Sequence, residues 1–266
     1  PHFFYKSWEY SRGWDYYLDR WFSSVPDSAV AIGERSSSYM FGAEITAELI
    51  HRHLPDARLV FILRNPVERT WANYRYTVLQ GLEDLGFSEA LERERERLSS
   101  ATGIWTEIQP HNYTGRGFYA RQLRAFHEFF PQKQIHIIKS EELSKSTNIV
   151  LDSLAMFLGL SDLDWSYERP LNFTSMNVIN PAKQVELRGY FGERFDVVIE
   201  AVRLRLDLTT VAFSSDDEVK LKELEANLCT DKFEMPKDAR SYLSGVFKDD
   251  LEMLEQIVPF DISDWT

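Results

Sequence analysis

The sequence has 266 residues, 44% hydrophobic and 14% aromatic, with a formal net charge of −12. That length and apolar content suit a folded α/β domain with a sizeable core and exclude a disordered chain. The charge excludes a nucleic-acid binder at the level of the whole molecule, and no apolar run is long enough for a membrane-spanning helix.

The charge is uneven. Between Ser215 and Thr266 there are 14 acidic and 6 basic residues, a net of −8 that leaves only −4 for the rest, so a local basic pocket fits in the first two-thirds. The lone Cys229 has no internal disulfide partner, which favours a reducing, cytoplasmic setting. The triplets at Asn112 and Asn172 match a glycosylation sequon but are too common by chance to carry weight. "PHFFYKSWEY" lacks an initiating Met and reads as mid-domain sequence, so residues are expected upstream of Pro1.

In chain order, Trp14, Tyr17, Leu18, Trp21 and Phe22 recur at helical spacing. "SAVAIGE" (Ser28 to Glu34) reads as a short strand. "GAEITAELIHRHL" reads as a helix with Ile45, Leu49, Ile50 and His53 on one side, stopped by Pro55. "RLVFIL" is a near-continuous apolar run, as in a parallel strand covered on both faces, and Pro66 fits the first turn of the next helix. In "SEALERERERLSS", Ser88 is the expected N-cap and the alternating charges read as a solvated face. Gly103 to Gly117 is rich in turn formers. "GFYARQLRAFHEFFP" is amphipathic with Leu123, Phe126, Phe129 and Phe130 inward, "QIHIIKSEEL" is another strand, and a helix follows to Leu158.

This alternation predicts parallel strands with helical crossovers, hence an α/β open sheet flanked by helices with a helical C-terminal portion after Leu160. Residues 1–266 read as one domain, with 170–235 as a helical insertion or flap. Ligands of such sheets bind beyond the carboxyl ends of the strands. Arg35 and Arg64 are both expected there, and the helix begun near Pro66 adds free N–H groups, which together suit a phosphate or sulfate. The competing reading is an ion pair of Arg64 with Glu68 or Glu34.

"RLVFILRNPVERTWANYRY" resembles the 3′-phosphate-binding segment of sulfotransferases that use 3′-phosphoadenosine-5′-phosphosulfate (PAPS), most closely the heparan sulfate branch. "PHFF" with "RGWDYYLDRWF", "GERSSSY", "GFYARQLRAFHEFFPQKQIHIIKSEEL" and "MPKDARSYLSGVFKDDLEMLEQIVPFDISDW" resemble further segments of that branch in the same order. The resemblance implies a P-loop-NTPase-like fold, PAPS as donor, 3′,5′-ADP as product and no metal.

Carried over to this chain, Arg64 pairs with the 3′-phosphate. The family's serine eight residues later is Ala72 here, leaving Asn73 or a backbone N–H to supply that donor. Arg35 stands where the family often has a lysine beside the transferred group, and His2 matches a histidine lining the acceptor site. The 5′-phosphosulfate loop and the glutamate base are expected upstream of Pro1. Lys183 and Arg188 are candidates for the loop that closes over the nucleotide. His111, in a loop, is a further active-site candidate with an ordinary loop role as its alternative. His136 reads as packed within a strand, and His51, His53 and His127 as helix-surface residues.

The acidic chain argues against a polyanionic sugar acceptor. Phe3, Phe4, Tyr5, Trp105 and Tyr113 suggest a neutral or lipid-like one. The resemblance extends to the sulfotransferase domains of bacterial polyketide and olefin synthases, which implies a β-hydroxyacyl chain on an acyl carrier protein as the hydroxyl-bearing partner. The alternatives are a carbohydrate or small-metabolite O-sulfotransferase, a P-loop nucleotide kinase, and a non-catalytic nucleotide-binding domain.

Overall fold

The computed structural model of the chain describes residues 1–160, 176–204 and 213–265. It begins with helices α1 (Ser7–Tyr10), α2 (Trp14–Phe22) and α3 (Ala43–His53), followed by strand β1 (Leu59–Leu63) and helix α4 (Pro66–Leu79). Short helices α5 (Phe87–Glu92), α6 (Glu94–Ser100) and α7 (Trp105–Ile108) come next. Helix α8 (Tyr119–His127) then leads to β2 (Ile135–Lys139), α9 (Ser140–Lys145) and α10 (Thr147–Leu158). The remainder comprises β3 (Asn177–Val178), α11 (Pro181–Phe191), α12 (Phe195–Leu204), α13 (Ser215–Ala226), β4 (Leu228–Cys229) and α14 (Lys237–Leu254). The chain divides into two compact units. The first holds Pro1–Pro66, Gly115–Ser166 and Val246–Thr266; the second holds Val67–Thr114 and Tyr167–Gly245.

In the first unit β1 and β2 pair in parallel, from Leu59 opposite Ile135 to Leu63 opposite Lys139. Their period of two sends Phe61, Leu63, Ile135 and Ile137 into the core, where Phe61 meets Phe126 of α8 at 4.9 Å between ring centres. Each such buried side chain contributes about 1.5–3 kcal/mol. The opposite face of β1 is open: Val60 is 38% and Ile62 56% exposed, so the expected cover on both faces is corrected to one. Helix α3 packs on α8 through Ala43, Thr46, Ala47 and Ile50. Of the expected inward set Ile50 is buried, whereas Ile45 is 59% exposed, because small residues let the two helices approach closely. At Gly117 a side chain would fall 2.6 Å from the Phe247 ring, so the turn into α8 requires glycine.

The segment Ser28 to Glu34 is not a strand. Residues 31–36 have no regular structure, and Val30 and Ile32 are 88% and 60% exposed. Its apolar alternation has no partner strand among the described residues, and an extended segment without ladder bonds has little to fix it.

In the second unit, Trp71 and Tyr74 of α4 pack on Phe87 at 4.9 and 4.8 Å. The charged run is broken at Arg93 into α5 and α6. Ser88 lies inside α5 and donates to Asp238, while Gly86 occupies the N-cap. Asn180 caps α11 by accepting from the Lys183 N–H, and Ser214 with Asp217 forms a capping box on α13. The expected absence of strands after Leu160 is corrected by the two-residue antiparallel ladder of β3 with β4. The expected flap at 170–235 lies partly outside the described residues, as does Asn172.

Candidate active site

The tip of β1 places Arg64 at the end of the first unit's parallel pair, two residues before α4 begins. Arg64 is exposed and makes no ion pair among the described residues. The two carboxylates that sequence spacing offered it stand elsewhere. Glu68 holds Arg240 at 2.7 Å, and Glu34 lies beside Tyr17, Tyr39 and Ser36. The neighbouring strand tip is braced by the chain's end: Lys139 donates to the Asp261 carbonyl at 2.8 Å and to Asp264 at 2.6 Å, and the Asn65 amide donates to the Trp265 carbonyl at 3.4 Å.

His2 sits in a second cluster of the same unit. Its φ of 58° is left-handed, an unusual setting for a residue with a side chain. The backbone is pinned nonetheless. The His2 N–H donates to Ser36 Oγ at 2.9 Å, and its carbonyl accepts from Tyr5 and Lys6 at 3.1 and 2.9 Å. Ring nitrogen Nδ1 lies 2.6 Å from Ser38 Oγ, and Ser36 Oγ donates to Glu34 at 3.4 Å. Burial lowers the His2 pKa to about 4, helped by Lys6 and Arg116, so the imidazole is neutral at pH 7. Burial, and then Glu34, pushes the Tyr17 and Tyr39 hydroxyls above their ordinary range. Arg35 is exposed and free of ion pairs among the described residues, but an irregular segment carries it rather than a strand tip.

The aromatic residues near His2 do not line an opening. Phe3 and Phe4 are 1% and 2% exposed, and Phe3 stacks on Tyr17 at 4.5 Å. Tyr113 is fully buried. Phe3, Phe4 and Tyr113 are core, which corrects the reading of these three as an acceptor surface; Tyr5 is half-buried and Trp105 is 42% exposed.

The remaining site candidates, Ala72, Asn73, His111, Lys183 and Arg188, belong to the second unit. Ala72 presents only a methyl group. Asn73 accepts from Arg69 and donates to Thr77, both at 3.2 Å along α4. Lys183 is held by Glu186 and Glu223 at 2.8 and 2.7 Å, and Arg188 by Asp196 at 2.8 Å and the Gln80 carbonyl at 2.7 Å. His111 Nε2 lies 2.8 Å from the Leu82 carbonyl. It borders a cleft of about 360 Å³ with Leu98, Trp105 and Gln109. His53 bonds the Tyr10 hydroxyl at 3.0 Å and stacks on Trp14, so it belongs to the aromatic cluster rather than the surface; His136 stacks on Phe157, as expected.

Sequence reasoning missed a buried ionic network. Glu83 is fully buried and accepts from Arg97 at 2.6 Å and from the Tyr113 hydroxyl at 2.7 Å, while buried Glu94 accepts from Thr114 Oγ1 at 2.7 Å. Glu94 and Arg97 lie in the run read as solvated. No cluster of His, Cys, Asp and Glu suited to a metal occurs among the described residues.

Residues 13–165 match the model of the Sulfotransferase family, more than half of the chain, and the chain belongs to that family. A human bifunctional heparan sulfate N-deacetylase/N-sulfotransferase 2 is 26% identical over 175 residues, covering 64% of this chain and 19% of its own length. A Caenorhabditis briggsae bifunctional heparan sulfate N-deacetylase/N-sulfotransferase 1 is 28% identical over 233 residues, covering 84% of this chain and 26% of its own length. The chain thus spans about a fifth to a quarter of these relatives. The crystal structure of a sulfotransferase from Alicyclobacillus acidocaldarius superposes with a TM-score of 0.63 at 24% identity, over 96% of this chain and 74% of that one. The fold is that sulfotransferase fold, a P-loop-like α/β architecture.

Proposed function

We propose that this chain transfers a sulfuryl group from PAPS to an acceptor hydroxyl, releasing 3′,5′-ADP. Family membership supports the reaction class. The observation that carries the reading is Arg64: an exposed guanidinium at a strand tip with no carboxylate partner among the described residues. A planar fork of donors fits a phosphate bidentately, so Arg64 holds the 3′-phosphate of the nucleotide.

The transfer forms a bond from acceptor oxygen to sulfur as the bond from sulfur to the leaving phosphate oxygen breaks. Positioning and neutralisation of the charge growing on that oxygen supply most of the acceleration, as in phosphoryl transfer. Arg35 is the residue we assign to that neutralisation. It stays protonated at neutral pH, so it stabilises charge without donating a proton. The acceptor's proton leaves to a carboxylate or an imidazole. With Asn73, Lys183 and Arg188 already engaged, the nucleotide assignment rests on Arg64.

The acceptor assigned first is a β-hydroxyacyl chain on an acyl carrier protein. A sugar hydroxyl is the second, favoured by relatives whose names specify heparan sulfate. The lone cysteine supports a cytoplasmic setting. No described helix is long and apolar enough to cross a membrane. Incubation with PAPS and each acceptor, followed by mass spectrometry, tests the proposal. A sulfonated acceptor together with 3′,5′-ADP supports it, and PAPS left intact against both acceptors overturns it.

A further inference from the structure

We propose that Ser38 fixes His2 as a neutral hydrogen-bond donor through Nε2–H, so that His2 stabilises a developing oxyanion and is not the general base. The inference refines the proposed sulfuryl transfer and rests on it for its catalytic part.

Ser38 is buried, 6% exposed, and its hydroxyl has one hydrogen-bond partner among the described residues, His2 Nδ1 at 2.6 Å. If Nδ1 carried the proton, the Ser38 hydroxyl would accept it and leave its own hydrogen buried without an acceptor, at a cost of about 1–3 kcal/mol. If Ser38 donates instead, both atoms are satisfied and the imidazole proton resides on Nε2. Nε2 has no hydrogen-bond partner among the described residues. A base needs a lone pair at its free nitrogen; this arrangement puts a proton there.

The surroundings agree. The charged side chains acting on the ring are Lys6 and Arg116, both positive, while Glu34 is one step away through Ser36. Such a corner opposes a second proton on the imidazole and favours an anion before it. The left-handed backbone at His2, held by Ser36, fixes the direction in which the ring presents Nε2. Ser38 is therefore a positioning residue, and a neutral imidazole donor costs no reorganisation when charge develops.

Two measurements test this, one of them independent of activity. Imidazole ¹⁵N NMR of the unliganded protein, with the His2 signals assigned through His2→Gln, is expected to show a protonated Nε2 and an unprotonated Nδ1. The reverse pattern overturns the proposal whatever the reaction is. In the sulfonation assay, His2→Gln keeps an amide donor but offers no base, so its rate is expected to stay within about tenfold of wild type. His2→Ala is expected to lose about 10²–10³-fold, the usual cost of one oxyanion donor. Equal loss in both variants, with thermal melts matching wild type, overturns the donor role. If wild type itself transfers no sulfuryl group, the reaction assignment fails and the NMR result still decides the tautomer.

Discussion

Arg97 reaches Glu83 at 2.6 Å in the second unit, and Glu83 has no solvent exposure at all. Burial alone would raise the Glu83 pKa, but hydrogen bonds from Arg97, the Leu85 N–H and the Tyr113 hydroxyl outweigh it and hold the carboxyl below its ordinary value. Removing Arg97 leaves a buried charge with reduced compensation. Arg97→Ala is expected to destabilise the protein by about 3–5 kcal/mol in urea unfolding. Because the folded pKa lies below the unfolded one, the stabilisation from Glu83 is complete above the ordinary value of 4.5 and disappears as pH falls through the folded value. A stability–pH curve of Glu83→Gln lacks that acid loss.

Asp250 behaves in the opposite sense. It accepts the N–H groups of Ala120 and Arg121 at the start of α8, at 3.0 and 3.4 Å, yet burial raises its pKa above the ordinary aspartate value. Its titration therefore favours the folded state below the unfolded pKa, and that contribution is lost as pH rises through the folded value. Asp250→Asn keeps an acceptor and removes the charge, so its stability at pH 7 is expected within about 1 kcal/mol of wild type, whereas Asp250→Ala loses about 1–2 kcal/mol as a helix cap does. Denaturant midpoints of the two variants check this order.

Gly81 closes α4 with a φ of 63°, and a side chain there would lie 2.8 Å from both the Gln184 carbonyl and Arg188 Cβ. The same turn is tied to α11 by Gln184 Nε2 donating to the Leu79 carbonyl at 2.8 Å. Gly81→Ala is expected to cost about 1–3 kcal/mol, since backbone strain and steric overlap act together. A drop in melting temperature without loss of helical circular dichroism is the expected readout.

Strands β1 and β2 and helices α8 and α10 were legible because their patterns are local: an apolar run, a polar tip, a 3.6-residue period. Arg64 was legible as a strand-tip cation for the same reason. What misled was context. Val30 and Ile32 alternate like a strand, but alternation does not supply a partner to bond with. Glu94 and Arg97 belong to a run that looks solvated, and only the placement of Glu83, Tyr113 and Thr114 turns them inward. Phe3 and Phe4 read as a possible acceptor surface because composition cannot tell a buried ring from an exposed one. The pairing of Lys183 and Arg188 with carboxylates depends likewise on which helices meet, as Lys183 with Glu223 and Arg188 with Asp196 show.

The open guanidinium of Arg64 is the centre of the account, and calorimetric titration of 3′,5′-ADP into wild type and Arg64→Ala tests it most directly. A lost bidentate charge-assisted contact of about 1.5–3 kcal/mol predicts about 10–100-fold weaker binding in the variant, with an unchanged melting temperature in the absence of nucleotide. Equal affinity of the two proteins for 3′,5′-ADP would contradict it.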